Sequence, residues 1–265
     1  MRINHDFGGA PALPIPGDIT SLKGKNYHVF IGIPSRDETC YVGLVGSMAF
    51  TVAGLVAAGV EVTLDTFRNS SFPDIPRNYI LKRFWHNENN SSHKPYTHCV
   101  MVDDDMAWDP PLVILEMMTY NKPFIGGVGP LKRAPHDLAF AGSVEAGQDA
   151  RAKLLKMINI GGGMIMMTRE MIGKMIENYE HLRHPSLEHF PMLFERLRDK
   201  KQDVGEDMMF CKRWRDIGGE VWAYTDIDFE HLGHAATVGN YRTYMINEIN
   251  NPISKHVKRV YKQTA

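Results

Sequence analysis

Three consecutive aspartates, residues 103–105, are the side chains of this sequence best suited to chemistry. They follow an apolar run, residues 98–102, and carboxylates at the carboxyl end of a strand lie where open α/β sheets bind ligands. Carboxylates this close repel one another, so they favour a bound cation. Mg²⁺ and Mn²⁺ prefer oxygen ligands and commonly share them with substrate phosphates. The triplet therefore predicts a divalent-metal site for a phosphate-bearing ligand, with a solvated acidic turn as the alternative.

A second acidic pair, Glu206 and Asp207, opens a helix predicted over residues 206–217. Acidic side chains are favoured at a helix start by the helix dipole, which is a purely structural explanation of the pair. A carboxylate in a partly closed pocket can instead take the proton from a hydroxyl as that hydroxyl attacks. The pair is therefore a candidate general base.

Histidines give two further hypotheses about metals. His231 and His234 follow a predicted strand, and a histidine near a carboxylate site is a suitable metal ligand, although a strand-end histidine is commonly just hydrogen-bonded. A separate zinc site could use His181, His184 and His189. Their spacing lacks the glutamate of an HExxH motif, and neighbouring prolines argue against a continuous helix, so an acceptor loop is the preferred interpretation.

Groups suited to a nucleotide or a sugar lie at the ends of other predicted elements. Arg77 begins a predicted helix, which is an unfavourable place for a cation, and its planar guanidinium suits phosphate. The glycines at 161–163 allow the backbone to approach a sugar closely, although they match neither a dinucleotide fingerprint nor a phosphate-binding loop. The end of the first predicted strand, where a nucleotide base would sit, carries Pro34, Ser35 and Arg36.

Apolar runs alternate with helical patterns along the first half of the chain. This alternation predicts an α/β fold, with a mainly parallel sheet covered by helices on both faces. Strands are predicted over residues 27–34, 60–67, 98–102 and 123–128, and helices over 40–58, 77–90 and 110–120.

The second half of the chain is less regular. Residues 134–155 are expected to hold a short strand and a linking helix, and residues 181–203 no clear element except around 191–200. Residues 1–26 are expected to form an arm. Further predictions are strands over 159–167, 220–224 and 228–231, helices over 169–179 and 206–217, and a basic-ended tail over 235–265.

The composition of the chain argues against several classes of function. The net charge of −1 over 265 residues gives no global basic field to attract nucleic acid. Three cysteines without CxxC spacing argue against a disulfide framework or a zinc knuckle, and we expect each to pack as a small buried residue in a reducing compartment. Residues 40–60 carry no charge, but their glycines and flanking strands favour a buried helix over a membrane span. We expect a cytoplasmic protein, in the host cytoplasm if it is viral.

Six segments in order carry a family resemblance: IGIPSRDE, PRNYIL, THCVMVDDDMAWDP, FIGGVGPLK, NIGGGMIMMTREMI and GEDMMFCKRWRDIGGEVWAYTDIDFEHLGH. Together they resemble the GT-A fold glycosyltransferases, most of all the small viral and bacterial enzymes of the DxD type. The resemblance runs over about residues 27–239. It implies one GT-A-like α/β domain, with a nucleotide-binding half at about 27–130 and an acceptor-binding half at about 131–239. Residues 240–265 would be a tail that packs on this domain.

The resemblance also implies a metal site. Asp103 would contact the ribose or the metal, and Asp105, the second acid of the DxD motif, would be the main ligand of Mn²⁺ or Mg²⁺. His231 would be a later metal ligand, with His234 as a second candidate. Asp104 occupies the centre of the motif, where many relatives carry a small or apolar residue. The choice of ligands within the triplet therefore stays open, and Asp104 remains a candidate nucleotide contact.

For the transfer reaction, the resemblance makes Asp207 the general base if the enzyme inverts, with Glu206 beside it. Gly162 and Gly163 would line the donor sugar or the acceptor. The residues that would border the nucleotide are Pro34, Ser35, Arg36 and Arg77.

The implied substrates are a nucleotide-sugar donor, with UDP-sugars favoured, and a glycan or other hydroxyl acceptor, with no stable membrane insertion. Three alternatives remain. A sugar nucleotidyltransferase shares this kind of sheet and metal site, but it usually has a glycine- and lysine-rich loop that IPSRDETCYVG lacks. A phage-type enzyme that glycosylates modified DNA bases would need a basic groove. An inactive nucleotide-sugar-binding scaffold would have no need of the acidic pair.

Overall fold

The structure, a computed structural model, describes residue 22 and residues 24–35, 39–68, 73–92, 94–132, 139–198, 203–233 and 236–250. Within these residues an eight-stranded sheet is the central element, in the order β2-β1-β3-β8-β5-β11-β7-β6. Its strands are β1 (His28–Pro34), β2 (Glu61–Phe67), β3 (His98–Val102), β5 (Phe124–Gly127), β6 (Gly142–Val144), β7 (Leu154–Ile160), β8 (Met164–Thr168) and β11 (Val221–Tyr224).

Strand direction fixes the fold class. The neighbouring pairs β1–β2, β1–β3 and β5–β11 are parallel, while β7 and β8 run antiparallel to their neighbours. Six of the eight strands therefore run in one direction. The central strands β1 and β3 are buried along their whole length, as expected for strands covered on both faces. The predicted fold class, α/β with a mainly parallel but mixed sheet flanked by helices, is confirmed.

Two hydrophobic clusters cover the two faces of the sheet. One face carries α1 (Val42–Ala57) and α3 (Val113–Thr119). The other face carries α2 (Asp74–His86), α4 (Arg169–Asn178) and α5 (Glu206–Asp216).

The uncharged segment at 40–60 forms α1, which packs on the sheet. Its buried hydroxyls hold the neighbouring chain: the Ser47 Oγ donates to the Trp108 carbonyl at 3.0 Å, and the Thr51 Oγ1 donates to the Pro111 carbonyl at 2.8 Å. No helix in the described part of the chain is long and apolar enough to cross a membrane. Cys99 and Cys211 are buried as expected, whereas the prediction for Cys40 was wrong because it lies exposed just before α1.

A second, three-stranded antiparallel sheet contains β4 (Met106–Asp109), β12 (Asp228–His231) and β13 (Thr237–Asn240). β4 lies between the acidic triplet and α3, where no strand was predicted. In the register of this sheet His231 pairs with Met106. This pairing brings the end of β12 next to the acidic triplet, although the two segments are far apart in sequence.

Two predicted helices differ from the structure. The helix predicted over 77–90 begins at Asp74, because a proline at position 76 is tolerated in the first turn, where its missing N–H is not needed. That helix ends at His86, since Asn87 adopts a left-handed conformation with φ 55°. The prediction of a linking helix within 134–155 was wrong for the part that the structure describes. Residues 139–155 contain β6 in place of a helix.

The strand predicted over 159–167, with a flexible start, is divided in two. β7 ends before the glycines 161–163 and β8 begins after them, and both strands run in the same direction, opposite to the other six. A Cβ atom on Gly161 would lie 2.6 Å from the Ala141 Cβ, which explains why a glycine is needed there. Residues 181–203 hold two 3-10 turns, Glu180–Leu182 and Pro185–Leu187, and the short strands β9 (Leu197–Arg198) and β10 (Asp203–Val204).

The start of the predicted tail forms the last helix, α6 (Tyr241–Asn250). The Tyr241 and Tyr244 rings lie 5.3 and 5.0 Å from the Phe140 ring, so this helix packs on the main cluster. The predicted arm at 1–26 and the end of the tail lie largely outside the described residues. The proposed domain limits therefore remain a prediction.

His98, at the start of β3, makes the stability of the fold depend on pH. Burial lowers the pKa of His98 to about 4, from 6.5 for an exposed histidine. The unfolded chain therefore binds a proton that the folded chain does not. Stability should fall as the pH drops through 6.5 towards 4, by about 2 kcal/mol between pH 7.5 and pH 5. Urea unfolding of the wild type and His98→Gln across this range tests the prediction. We expect a shallower fall in the variant, and equal slopes would contradict it.

Candidate active site at the carboxyl edge of the sheet

A cavity of about 330 Å³ opens where β1 and β3 end. The turn between β7 and β8, the start of α5 and the end of β12 complete its wall. Of the predicted site residues, Arg36 and His234 lie outside the described residues, and Gly163 lies beside the cavity, its carbonyl accepting a hydrogen bond from the Asp103 N–H at 3.2 Å. The lining residues are Pro34, Ser35, Pro73, Pro76, Arg77, Asp103, Asp104, Asp105, Gly162, Glu206, Asp207 and His231.

Arg77 joins the elements that form the cavity. Its side chain is only 4% exposed, and its Nη2 donates to the Asp103 Oδ1 at 2.7 Å. The Nη1 donates to the Gly162 carbonyl at 3.2 Å, and the Nε lies 3.5 Å from the Glu206 Oε1. The guanidinium also lies over the Phe194 ring, 5.8 Å from its centroid. One buried cation therefore links β3, the β7–β8 turn and α5.

These contacts indicate a positioning role for Arg77. Burial alone would lower its pKa, but the carboxylates of Asp103, Glu206 and Asp207 more than offset burial and raise it. The guanidinium is therefore held charged and faces protein acceptors. Direct contact between Arg77 and a nucleotide stays a prediction. Its place in α2 was predicted from the sequence, whereas its partners depend on long-range folding.

The carboxylates in the cavity are crowded. Burial, with added repulsion from Asp105, Asp104 and Asp207, raises the pKa of Asp103 to about 6, even though Arg77 lowers it. Burial is also the main cause of the raised pKa of Glu206. The site therefore concentrates negative charge in a desolvated place, which favours the binding of a cation.

Asp105, His231 and Lys132 meet at the rim of the cavity. The Asp105 Oδ2 lies 2.5 Å from the Lys132 Nζ and 3.4 Å from the His231 Nε2. Burial raises the pKa of Asp105, but its contacts with His231 and Lys132 outweigh burial, so that the pKa is lowered. Sequence analysis missed Lys132 as a site residue. The sequence feature that could have indicated Lys132 was its position at the end of the FIGGVGPLK segment.

The orientation of the His231 ring is set by the backbone. Its Nδ1 lies 2.7 Å from the Pro130 carbonyl, so we assign the ring proton to Nδ1 as the donor. Burial would lower the pKa of His231, but the contacts of its Nε2 with Asp105 and of its Nδ1 with the Pro130 carbonyl outweigh burial and raise it. When the ring is neutral, with its proton on Nδ1, the Nε2 is available to a metal. A histidine fixed in this way through its other nitrogen is typical of metal ligands.

Asp207 is held at the start of α5 by two backbone donors. The Gly162 N–H donates to its Oδ2 at 3.1 Å, and the Met208 N–H donates to its Oδ1 at 2.7 Å. A Cβ on Gly162 would lie 2.4 Å from the Arg77 Nη2, so only glycine leaves room for both the guanidinium and this turn. The carboxylate of Asp207 therefore has a fixed position in the cavity wall.

The donor types fit a divalent cation. Asp103 and Asp105 offer oxygen and His231 offers nitrogen, a set that suits Mn²⁺ or Mg²⁺. Asp105 and His231 already converge, whereas one oxygen of Asp103 is taken by Arg77. Across the described ranges, no group of three or more His, Cys, Asp or Glu side chains is arranged to hold a metal. This finding applies equally to the acidic triplet with His231 and to the histidines at 181, 184 and 189, so that both metal sites stay predictions.

Comparisons with known proteins found no matching family model and no matching curated protein. Among solved structures, A197 from STIV has a TM-score of 0.47 at 13% identity, over 78% of this chain and 86% of that one. Drosophila β-1,4-galactosyltransferase 7 in complex with manganese, UDP-Gal and xylobiose has a TM-score of 0.40 at 17% identity, over 81% and 70%. A UDP-glucose pyrophosphorylase complexed with UDP-glucose has a TM-score of 0.40 at 10% identity, over 85% and 99%. These similarities are too low to support an argument about function.

Proposed function

We propose that this protein is a metal-dependent glycosyltransferase, which moves a sugar from a nucleotide-diphosphate sugar to an acceptor hydroxyl. The observation that carries the proposal is the convergence of two different acidic groups on one cavity. The triplet at the end of β3 lies beside His231, and Asp207 is fixed at the start of α5. A group of candidate metal ligands and a proton acceptor in one cleft suit metal-dependent sugar transfer with inversion.

On the donor side, Asp105 and His231 would hold Mn²⁺ or Mg²⁺, with the remaining oxygen of Asp103 as a third ligand. When bound, the cation would neutralise the negative charge that develops on the leaving diphosphate. Arg77 keeps the Asp103 carboxylate in place through its bond of 2.7 Å. Asp104 lines the same wall and remains a candidate contact for the nucleotide.

The nucleoside would lie against the wall formed by the carboxyl end of β1 and the start of α2. Pro34, Pro73 and Pro76 give this wall apolar surface for a base. Ser35 is held in position because its N–H donates to the Phe67 carbonyl at 2.8 Å and its Oγ donates to the Thr39 carbonyl at 3.0 Å. A UDP-sugar is the favoured donor.

On the acceptor side, Asp207 would take the proton of the attacking hydroxyl. The hydrogen bond from Gly162 aims its carboxylate, and Gly162 itself lines the cavity where a sugar would lie. Glu206 acts on the same site through Arg77. The acceptor would be a glycan or another hydroxyl, with a modified DNA base as a more distant possibility.

Thermal shift with UDP-, GDP-, CMP- and dTDP-sugars, in Mn²⁺, Mg²⁺ or EDTA, tests this function. We expect one nucleotide class to raise Tm in a metal-dependent way, by on the order of 5–10 °C at about 100 times Kd. Asp105→Asn should lose the metal-dependent part of the shift, while the matched variant Asp216→Asn, an exposed carboxylate paired with Lys212, should keep it. No shift with any donor, or an undiminished shift in Asp105→Asn, would contradict the proposal.

Product analysis separates the alternatives. A glycosyltransferase releases the nucleoside diphosphate from the donor. A nucleotidyltransferase instead forms a nucleotide-sugar from a nucleoside triphosphate and a sugar phosphate. Binding with no turnover of either kind would favour the scaffold hypothesis.

A further inference from the structure

Lys132 places an ammonium group on the carboxylate that is proposed to hold the metal. We propose that Lys132 is a resident counterion of Asp105, which gives up this position when a divalent cation binds and then contacts the donor diphosphate. The proposal rests on the proposed function, because it deepens the account of the same site. It makes Lys132 a donor-binding residue that the sequence motifs do not assign.

The first argument is that Lys132 and a metal would use the same oxygen. The Asp105 Oδ2 receives the Lys132 Nζ at 2.5 Å and faces the His231 Nε2 at 3.4 Å. A cation held between Asp105 and His231 must coordinate this carboxylate at about 2.0–2.2 Å. An ammonium group on that oxygen blocks the position and is repelled by the divalent charge. Lys132 and the metal therefore exclude each other there.

The second argument is charge balance. The described cavity wall carries five carboxylates, of which Arg77 contacts Asp103 and Glu206 while Lys132 contacts Asp105. Arg77 is buried and linked to three elements, so it cannot leave. Lys132 is 42% exposed and makes one ion pair with the cavity, so its departure costs little. Of the two cations, Lys132 is the one that can exchange.

The third argument is that a change of side-chain rotamer is enough. The backbone around Lys132 is anchored, because the Leu131 N–H donates to the Ala139 carbonyl at 2.7 Å and the Pro130 carbonyl binds the His231 ring. The lysine stem has four rotatable carbon–carbon bonds, so its ammonium can move while these anchors stay. Displaced from Asp105, it remains at the rim where a metal-bound diphosphate would lie, and ammonium groups bind phosphate well.

Manganese EPR on the full chain tests the exchange, because the signal of free Mn²⁺ reports binding without turnover. In the absence of nucleotide, Lys132→Met should bind Mn²⁺ about fivefold more tightly than the wild type, the effect of removing a partly exposed ion pair. In the presence of Mn²⁺, calorimetry should find that the same variant binds UDP about tenfold more weakly, because a charged contact with phosphate is lost. The matched control is Lys156→Met, which removes an ion pair with Glu220 outside the cavity and should change neither value.

Unchanged or weaker Mn²⁺ binding by Lys132→Met would overturn the exchange, and unchanged UDP binding would overturn the diphosphate contact. Both results leave the proposed function standing if the wild type binds Mn²⁺ and turns over a nucleotide-sugar. Tighter Mn²⁺ binding by the variant without turnover of any donor would support the exchange and remove the proposed function. A wild type that binds no Mn²⁺ would remove both.

Discussion

Replacing Arg77 with methionine is expected to lower the free energy of unfolding by about 3–5 kcal/mol, the loss typical when a buried ion pair loses one partner. The guanidinium is 4% exposed and lies between the carboxylates of Asp103 and Glu206. Methionine fills a similar volume without charge, so those carboxylates would face each other without their common cation. The Gly162 carbonyl would also lose its hydrogen bond from Nη1.

Urea unfolding measures this loss, and Arg196→Met is the matched control. Arg196 pairs with Asp203 at 2.7 Å, but both side chains are about half exposed. We expect the control to change the stability little, as for an exposed pair. Similar losses in both variants would contradict the role assigned to Arg77.

If the methionine variant does not fold, Arg77→Lys keeps the test informative. Lysine retains the positive charge but offers a single ammonium in place of the planar fork. Its ammonium can pair with Asp103 or with Glu206, but it cannot also donate a hydrogen bond to the Gly162 carbonyl. We expect an intermediate loss of stability, whereas a lysine variant as stable as the wild type would show that the geometry of the fork is unimportant.

The order of strands and helices in the first half was predictable because its signals are local. The uncharged run of α1, the apolar runs of β1 and β3 and the glycines that end α5 each act within a few residues. The errors fell where a local signal has two meanings. The glycines at 161–163 are compatible with a bulge inside one strand or with a break between two strands, and the close approach of Gly161 to Ala141 that accompanies the break joins distant parts of the chain.

Most residues of the candidate site were predictable from the sequence, but the contacts between them were not. Residue types alone pointed to the acidic triplet, the pair on α5 and His231. The partners of Arg77 are 26 and 85 positions away in sequence, at Asp103 and Gly162. The contact of Lys132 with Asp105 spans 27 positions. No periodicity encodes such pairs, because they depend on which strands lie side by side in the folded sheet.

Replacing Asp207 with asparagine should reduce kcat by about 10²–10⁴-fold, the usual contribution of a general base. The binding of Mn²⁺ and of the donor should persist, because Asp207 lies on α5 and not in the triplet. Asparagine offers one acceptor oxygen in place of two, so it can keep the hydrogen bond from Gly162 or from Met208 but not both. We therefore also expect a loss of about 1 kcal/mol in stability.

Steady-state kinetics with the donor identified by thermal shift measures this effect, with Asp216→Asn on the same helix as the control. The two halves of the site should separate: Asp105→Asn loses metal-dependent donor binding, whereas Asp207→Asn binds the donor but does not transfer the sugar. An Asp207→Asn protein that still transfers sugar at nearly the wild-type rate would remove Asp207 as the base. Glu206 would then be the remaining carboxylate of α5 in the cavity, and burial raises its pKa above that of an exposed glutamate.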